Sequence, residues 1–233
     1  MVWLITRHRC AEKLVQQKLE TKGEFPKPVP VAPWRLYGVA YLSLWRIPAA
    51  ELGALTPDSG LPLFTLAGSA FVTTIWAKYT GGTLSYNELA TAVLVRGKGL
   101  LAPAASVTAI WVDDAVSAEG GRRLWCIPKT LGHFETGGDA NRCFANELTL
   151  DDQSIAQLRF ETKTALPGRP NLSGFVIQPS SGGPLRTRCA VSGKIFTGQA
   201  DWDFARAGAL AVLRGRKPLM SFCIDDMEAM FGL

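Results

Sequence analysis

A chain of 233 residues with 47% hydrophobic and 19% charged residues is long enough to bury a core and too apolar to be disordered. Of its net charge of +5, the first 30 residues contribute +3, and no element interleaves lysine and arginine with aromatic residues as a nucleic-acid-binding surface would. No apolar run reaches the length of a signal-peptide core or of a membrane-spanning helix, so we expect a cytoplasmic protein with neither nucleic-acid nor membrane partners.

The N-terminal segment differs in pattern from the rest of the chain. Residues 9–22 carry a weak apolar stripe that predicts a helix. Four prolines follow within "FPKPVPVAPW", which is typical of an extended connector. These patterns divide the chain into an N-terminal helix and connector, residues 1–33, and one domain, residues 34–233.

Strand patterns dominate the domain. They begin at residues 36–45, and "PAAELGAL" after them predicts a short helix. Two strands then flank "TGGT", and further strands are predicted at "SVTAIWVD", "GHFET", "CFANELTL", "IAQLRFET", "GFVIQPS", "RTRCAVSGKIFTG" and "LMSFCIDD". "LTLDDQSIAQL" has the pattern of a hairpin with a polar tip. About nine strands and a few short helices predict a mainly β (α+β) fold, an antiparallel sheet closed into a barrel.

One lysine stands in an unusually apolar stretch, "LWCIPKTLGHFE". Asp113 or Asp114 can cap a helix over "AVSAEGGRRLWCI", which Gly120 and Gly121 weaken and Pro128 ends. Lys129 therefore lies where a short helix gives way to a strand. On pattern alone, Lys129 would be a surface lysine with its stem against apolar neighbours.

The segment "GRRLWCIPKTLGHFE" resembles the glycine-arginine, helix, proline-lysine and leucine-glycine segment of the acetoacetate decarboxylase family. "YNELATAVLV" resembles that family's tyrosine-glutamate strand after a glycine-rich hairpin, and "GRPN" before a strand and the closing "SFCIDD" strand add weaker matches. The resemblance runs from about residue 34 to the C-terminus. It implies an antiparallel barrel flanked by helices, an active site in its interior, no cofactor and a homo-oligomer.

The resemblance also implies roles for individual residues. Lys129 matches the lysine that attacks a ketone carbonyl and forms a Schiff base, and Glu88 matches the glutamate in the substrate pocket. We expect Tyr86, Trp125 and Arg122 near this pocket. His133 is a further candidate, because Lys129, Leu131 and His133 would share one side of a continuous strand.

The chain departs from the decarboxylases at three positions. Thr130 stands where they have a second lysine, Gly38 where they have an active-site arginine, and Thr73 where they have a second glutamate. Two of five expected positions are kept. This pattern is closer to relatives that keep the Schiff-base lysine for aldol-type condensation or dehydration of 2-keto acids.

An amine must be neutral to attack a carbonyl, so a lysine with a pKa near 10.4 needs its pKa lowered by about 3 units to react at pH 7. In the family a neighbouring cation assists, and here Thr130 takes that place. We therefore expect desolvation by Trp125, Ile127 and Phe134 to dominate. The leading hypothesis is a lyase acting on a small keto acid. The alternative is a non-catalytic barrel that binds an apolar small molecule.

Other polar motifs have simpler explanations. Five widely spaced cysteines without a CxxC pair predict free thiols, and with only two histidines the chain lacks the ligand spacing of a zinc site. "RGKG" lacks the pattern of a phosphate loop. The pairs Asp113–Asp114 and Asp225–Asp226 are expected to be helix caps and strand-end charges, because no oxygen-rich loop accompanies them.

Overall fold

The structure, a computed structural model, describes residues 28–100, 102–137 and 143–233. These residues form twelve strands and one α-helix: β1 Trp34–Pro48, β2 Thr65–Leu66, β3 Ser69–Gly82, β4 Tyr86–Val95, β5 Ala104–Val112, α1 Ala115–Trp125, β6 Lys129–Leu131, β7 His133–Gly137, β8 Cys143–Leu150, β9 Gln153–Ala165, β10 Asn171–Gln178, β11 Leu185–Phe204 and β12 Met220–Phe231. Short 3-10 turns occupy Ala49–Glu51, Gly53–Leu55 and Ala211–Leu213. The helix predicted over residues 9–22 lies outside the described residues.

Seven strands close into a ring in the order β10-β5-β4-β3-β1-β12-β11, and β11 returns to β10. All neighbours in the ring are antiparallel except β10 and β5, which run parallel. The predicted mainly β fold is confirmed, as a closed ring with an added branch. The branch arises because β11 is 20 residues long: its first part pairs with β10, and its second part pairs with β9, which continues to β8 and β7.

The parallel closure of the ring depends on one buried amide side chain. β10 and β5 share a single register pair, Val176 with Ala105. Beyond it, the Gln178 side chain accepts a hydrogen bond from the Val107 N–H at 2.8 Å and donates to the Val107 carbonyl at 2.9 Å. Gln178 thus replaces the backbone ladder that the two strands do not form, which satisfies buried groups that would otherwise be costly.

The ring strands β1, β3, β4 and β5 are covered on both faces. One face points into the ring, where Ala40, Ala77 and Ile224 pack together. The other face packs against the branch, and there Trp76 joins Phe160 in the largest core cluster. Burial on both faces explains why "LATAVLV", the second part of β4, has a single polar residue rather than an alternating pattern.

Three local predictions can be compared with the structure. The hairpin in "LTLDDQSIAQL" is confirmed, with Asp151 and Asp152 both at positive φ in its turn, as the common two-residue hairpin turn requires. The predicted helix in "PAAELGAL" is wrong: Gly53 has a φ of 52°, and the segment forms two 3-10 turns. The count of about nine strands is also too low, since the two- and three-residue strands β2 and β6 are too short for a sequence pattern.

Among the residues that the structure describes, no helix is long and apolar enough to cross a membrane. In the same part of the chain Cys126, Cys189 and Cys223 are free thiols, in agreement with the prediction from their spacing.

Candidate active site

Helix α1 and the turn after it fix the position of Lys129. Asp114 caps the helix, since its carboxylate accepts a hydrogen bond from the Ser117 N–H at 2.6 Å. The helix ends at Trp125, and Cys126 takes the left-handed conformation with a φ of 54°. Lys129 then opens β6, which pairs parallel with β5 through Ile110. The helix cap and the short strand together hold the lysine backbone at the end of the ring.

Arg122 supports the backbone of Lys129 rather than its ammonium group. One guanidinium nitrogen donates to the Lys129 carbonyl at 2.7 Å, and another donates to Glu119 at 3.2 Å. The Arg122 side chain is 48% exposed. Arg122 was predicted to lie near the pocket; it lies on the outer side of the helix, where it can position the Lys129 backbone.

The amine of Lys129 is buried among polar groups. The residue is 6% exposed, and Nζ lies 2.8 Å from Glu88 Oε2, 2.9 Å from Ser117 Oγ and 3.3 Å from the Tyr86 hydroxyl. The prediction that the lysine is buried is correct. Desolvation by Trp125, Ile127 and Phe134 was expected to dominate, whereas the groups that contact Nζ are polar: a carboxylate and two hydroxyls take its hydrogen-bond positions.

Strand β4 brings Tyr86 and Glu88 to the same side. They are two residues apart, so both side chains face the ring interior. Across the β3–β4 hairpin Glu88 pairs with Ala77, and Tyr86 pairs with Tyr79. The small side chain of Ala77 leaves the carboxylate room beside the lysine.

The two tyrosines keep their protons at neutral pH. Burial raises the pKa of Tyr79 and of Tyr86 well above the usual value, and the negative charge of Glu88 raises both further. Their ring centroids lie 4.8 Å apart. Both hydroxyls are therefore neutral groups that can donate hydrogen bonds to a reacting oxygen.

This burial makes a prediction for alkaline titration. A raised pKa in the folded state means that the stabilising contribution is present below the unfolded value near 10 and is lost as the pH rises past it. We expect the tyrosinate absorbance of Tyr79 and Tyr86 to appear together with unfolding rather than before it. Comparing wild type with Tyr79→Phe and Tyr86→Phe checks this. Smooth titration of these tyrosines in the folded protein would contradict it.

Two glycines of α1 allow close approaches. A Cβ at Gly121 would lie 2.7 Å from Cδ of Lys129, and a Cβ at Gly120 would lie 2.5 Å from ring atoms of Trp34. Each glycine costs the helix about 1 kcal/mol relative to alanine. The helix nevertheless continues through both, and the space that they leave holds the lysine stem and the Trp34 ring.

An apolar cavity of about 330 Å³ occupies the ring interior. It is lined by Ala40, Leu42, Ile75, Tyr79, Leu172, Ser173, Gly174, Val176, Cys189, Ala190, Val191, Ile224, Met227, Ala229, Met230 and Phe231. Tyr79 links it to the lysine, since its ring contacts Tyr86, whose hydroxyl meets Nζ. A separate depression of about 410 Å³ lies on the branch and contains none of the predicted site residues.

Two further predicted pocket residues lie elsewhere. Trp125 packs edge-on against Trp34 at 4.8 Å and Phe231 at 4.7 Å, in a small core beneath the helix. The prediction for His133 is wrong: its side chain is 71% exposed, 3.5 Å from Glu135. Leu131, the last residue of β6, is also exposed. The alternation of side chains does not continue from β6 into β7, so in β7 it is Phe134, not His133, that packs against the core.

Sequence reasoning missed Ser117 and Tyr79. Ser117 is fully buried in the first turn of α1, directly below its cap, and no pattern marks a serine there as functional. The sequence could have indicated Tyr79, because a hairpin about "TGGT" in the correct register places this residue opposite Tyr86.

The sequence model of the family described as acetoacetate decarboxylase matches residues 22–203, more than half of the chain. The chain belongs to the acetoacetate decarboxylase family. No protein with a curated description matches the sequence of this chain.

Solved structures share the fold with this chain at low sequence identity. The acetoacetate decarboxylase of Legionella pneumophila subsp. pneumophila str. Philadelphia 1 is 17% identical with a TM-score of 0.64, covering 91% of this chain and 92% of that one. The enduracididine biosynthesis enzyme MppR complexed with pyruvate gives the same values. An acetoacetate decarboxylase-like enzyme from Sphingomonas wittichii RW1 is 16% identical with a TM-score of 0.58, covering 91% and 96%.

The three departures from the family's decarboxylases have structural counterparts. Thr130 is exposed, on the opposite side of β6 from Lys129. A Cβ at Gly38 would collide with the backbone carbonyl of Lys78, so this backbone accepts no side chain at the position matched to the arginine. Thr73 lies on β3, and its hydroxyl is 3.4 Å from the Ala92 carbonyl.

The two weaker motifs of the resemblance meet in space. Arg169 of "GRPN" donates to the Asp226 carboxylate and to the Asp226 carbonyl, each at 2.6 Å, and Asp226 is the last residue of the closing motif "SFCIDD". Hydrogen bonding and the charge of Arg169 lower the pKa of Asp226. The contact joins the loop before β10 to β12, on the outside of the ring.

Proposed function

We propose that the protein is a cofactor-free lyase that forms a Schiff base between Lys129 and a small keto acid. The observation that carries the proposal is a buried amine 2.8 Å from a buried carboxylate, with Tyr86 and Tyr79 between it and the apolar cavity. The fold is shared with an acetoacetate decarboxylase and with MppR, which has been solved with pyruvate and with the condensation product of pyruvate and imidazole 4-carboxaldehyde.

The contacts of Nζ suit the steps of imine formation. Glu88 accepts a proton from the ammonium of Lys129, which leaves a neutral amine to attack the carbonyl carbon. A C–N bond forms, and the oxygen takes up the amine proton to give a carbinolamine. Glu88 then returns its proton to that oxygen, the C–O bond breaks, and water leaves. The product is a protonated imine, so the total charge and atoms balance.

Hydroxyl groups complete the site. Ser117 and Tyr86 both lie within hydrogen-bond distance of Nζ, and a carbonyl carbon bonded to Nζ would have its oxygen near them. Donors aimed at such an oxygen stabilise the charge that develops on it. The protonated imine then withdraws electrons from the neighbouring carbon.

The bond broken or formed at that carbon distinguishes the reactions of the family. Loss of carbon dioxide is decarboxylation, and addition to an aldehyde followed by loss of water is aldol condensation with dehydration. Thr130 and Gly38 remove two cations that the resemblance places in the decarboxylases. We therefore propose aldol or dehydration chemistry ahead of decarboxylation of acetoacetate.

Borohydride trapping tests the proposal directly. The folded protein is incubated with pyruvate or acetoacetate, reduced with borohydride, digested and analysed by mass spectrometry. We expect the mass of the reduced adduct on the peptide that contains Lys129. Absence of an adduct with a panel of keto acids, in a sample with a cooperative melting transition, would overturn the proposal.

A non-catalytic binding protein is the second candidate. The apolar lining of the cavity favours it, and so does the engagement of Nζ with three groups at once. This candidate predicts saturable binding of an apolar small molecule with no trapped adduct from any carbonyl compound.

A further inference from the structure

The cavity beside the reactive group is built for hydrocarbon. Its lining residues, all in the described part of the chain, include none with a charged side chain, and the polar ones are Tyr79, Ser173 and Cys189. An anionic group in such surroundings would lose its hydration without gaining a partner. The cavity therefore suits an uncharged, apolar group.

Its size exceeds what the smallest keto acids need. The volume of about 330 Å³ lies at the lower end of the range found for small-molecule sites, roughly 300–1,000 Å³. It is about ten times the ~30 Å³ that one water occupies in the liquid. Pyruvate and acetoacetate would leave most of it empty.

The cavity ends at Tyr79 on the side of the lysine and opens to solvent on the other side. At the inner end, Tyr79 separates it from Tyr86 and Lys129. At the outer end, Leu172 is 50% exposed and Gly174 is exposed. A substituent on a carbonyl carbon bonded to Nζ would enter the cavity by passing the Tyr79 ring.

We propose that the cavity binds a hydrocarbon substituent of the substrate, so that the protein selects keto acids with an aliphatic or aryl tail of several carbons over pyruvate and acetoacetate. This inference rests on the proposed Schiff base at Lys129. Each added methylene buried in the cavity contributes about 0.8 kcal/mol, which corresponds to a roughly fourfold gain in apparent affinity.

A chain-length series tests the inference on the wild-type protein. Pyruvate, 2-oxobutanoate, 2-oxohexanoate and 2-oxooctanoate are trapped with borohydride over a range of concentrations. We expect the half-saturating concentration to fall about fourfold per methylene until the cavity is filled. Equal trapping of pyruvate and 2-oxooctanoate would overturn the inference while leaving the Schiff base intact.

Gly174→Phe closes the cavity with little disturbance to the fold. A Cβ at Gly174 meets nothing within 4 Å, and by strand alternation it points to the same side as Leu172 and Val176, which line the cavity. We expect this variant to lose the chain-length dependence, so that it traps 2-oxooctanoate no better than pyruvate. Gly137→Phe is the matched control, since its Cβ also meets nothing within 4 Å and it lies on the branch.

A ligand without a carbonyl separates the two proposals. 2-Octanol has the hydrocarbon tail and cannot form an imine. We expect it to raise the melting temperature of wild type and Gly137→Phe and to leave Gly174→Phe unchanged. If 2-octanol behaves so while no keto acid is trapped, the Schiff-base function fails and the cavity assignment stands. If 2-octanol stabilises none of the three proteins, the cavity assignment fails.

Discussion

Replacing Lys129 with arginine is expected to abolish the trapped adduct and to lower the turnover of any substrate at least about a thousandfold. Arginine keeps a cation beside Glu88, which preserves the charge balance of the buried site. A guanidinium is not deprotonated in proteins, so it cannot attack a carbonyl. Mass spectrometry of the reduced digest and steady-state kinetics measure the two effects.

Lys163→Arg serves as the matched control. Lys163 is exposed on β9 and hydrogen-bonds Gln199, so the same substitution there changes neither the site nor the cavity. We expect wild-type trapping from this variant. An adduct that persists in Lys129→Arg would identify another nucleophile and contradict the assignment of Lys129.

The second large effect concerns the free energy of unfolding. Glu88→Gln removes the negative charge while keeping the side-chain volume, and it leaves the Lys129 ammonium buried without a countercharge. Breaking a buried ion pair from one side typically costs about 3–5 kcal/mol. That is a large part of the about 5–15 kcal/mol that stabilises an ordinary domain. Urea unfolding of wild type and variant measures the difference.

A double-mutant cycle separates the pair from the site that surrounds it. Lys129→Met combined with Glu88→Gln replaces the ion pair by neutral groups, and we expect the double variant to recover most of the lost stability. The exposed pair of Arg216 and Glu51 gives the comparison, because Glu51→Gln should cost less than about 1 kcal/mol. Equal costs at Glu88 and Glu51 would show that the buried ion pair contributes no more than a surface one.

Local patterns in the sequence predict the elements around the site well. Asp113 or Asp114 as a cap, with Pro128 after the segment, predicts a short helix here, because capping and proline sterics act within a few residues; the structure shows Asp114 as the cap. The strands flanking "TGGT" and the hairpin in "LTLDDQSIAQL" are equally local. The resemblance adds Lys129, Glu88 and Tyr86, and the structure brings Glu88 and Tyr86 within 3.3 Å of the Lys129 amine.

The errors come from contacts between distant segments. His133 was expected beside Lys129 from strand alternation, but β6 pairs with β5 while β7 pairs with β8, and the phase changes between the two strands. The same change takes Phe134 into the core with Trp76, away from the place where it was expected to desolvate the lysine. Periodicity within a segment carries no information about which neighbour it will pair with.

The sequence by itself determined the fold class, the family, and the lysine on which a chemical hypothesis rests. The tertiary structure decided the surroundings of that lysine: the carboxylate at 2.8 Å, the serine from the helix and the cavity behind Tyr79. The physical reason is one of range. Caps, turns and strand propensity act between residues near in sequence, whereas the surroundings of Nζ join residues 12 to 43 positions apart across three elements.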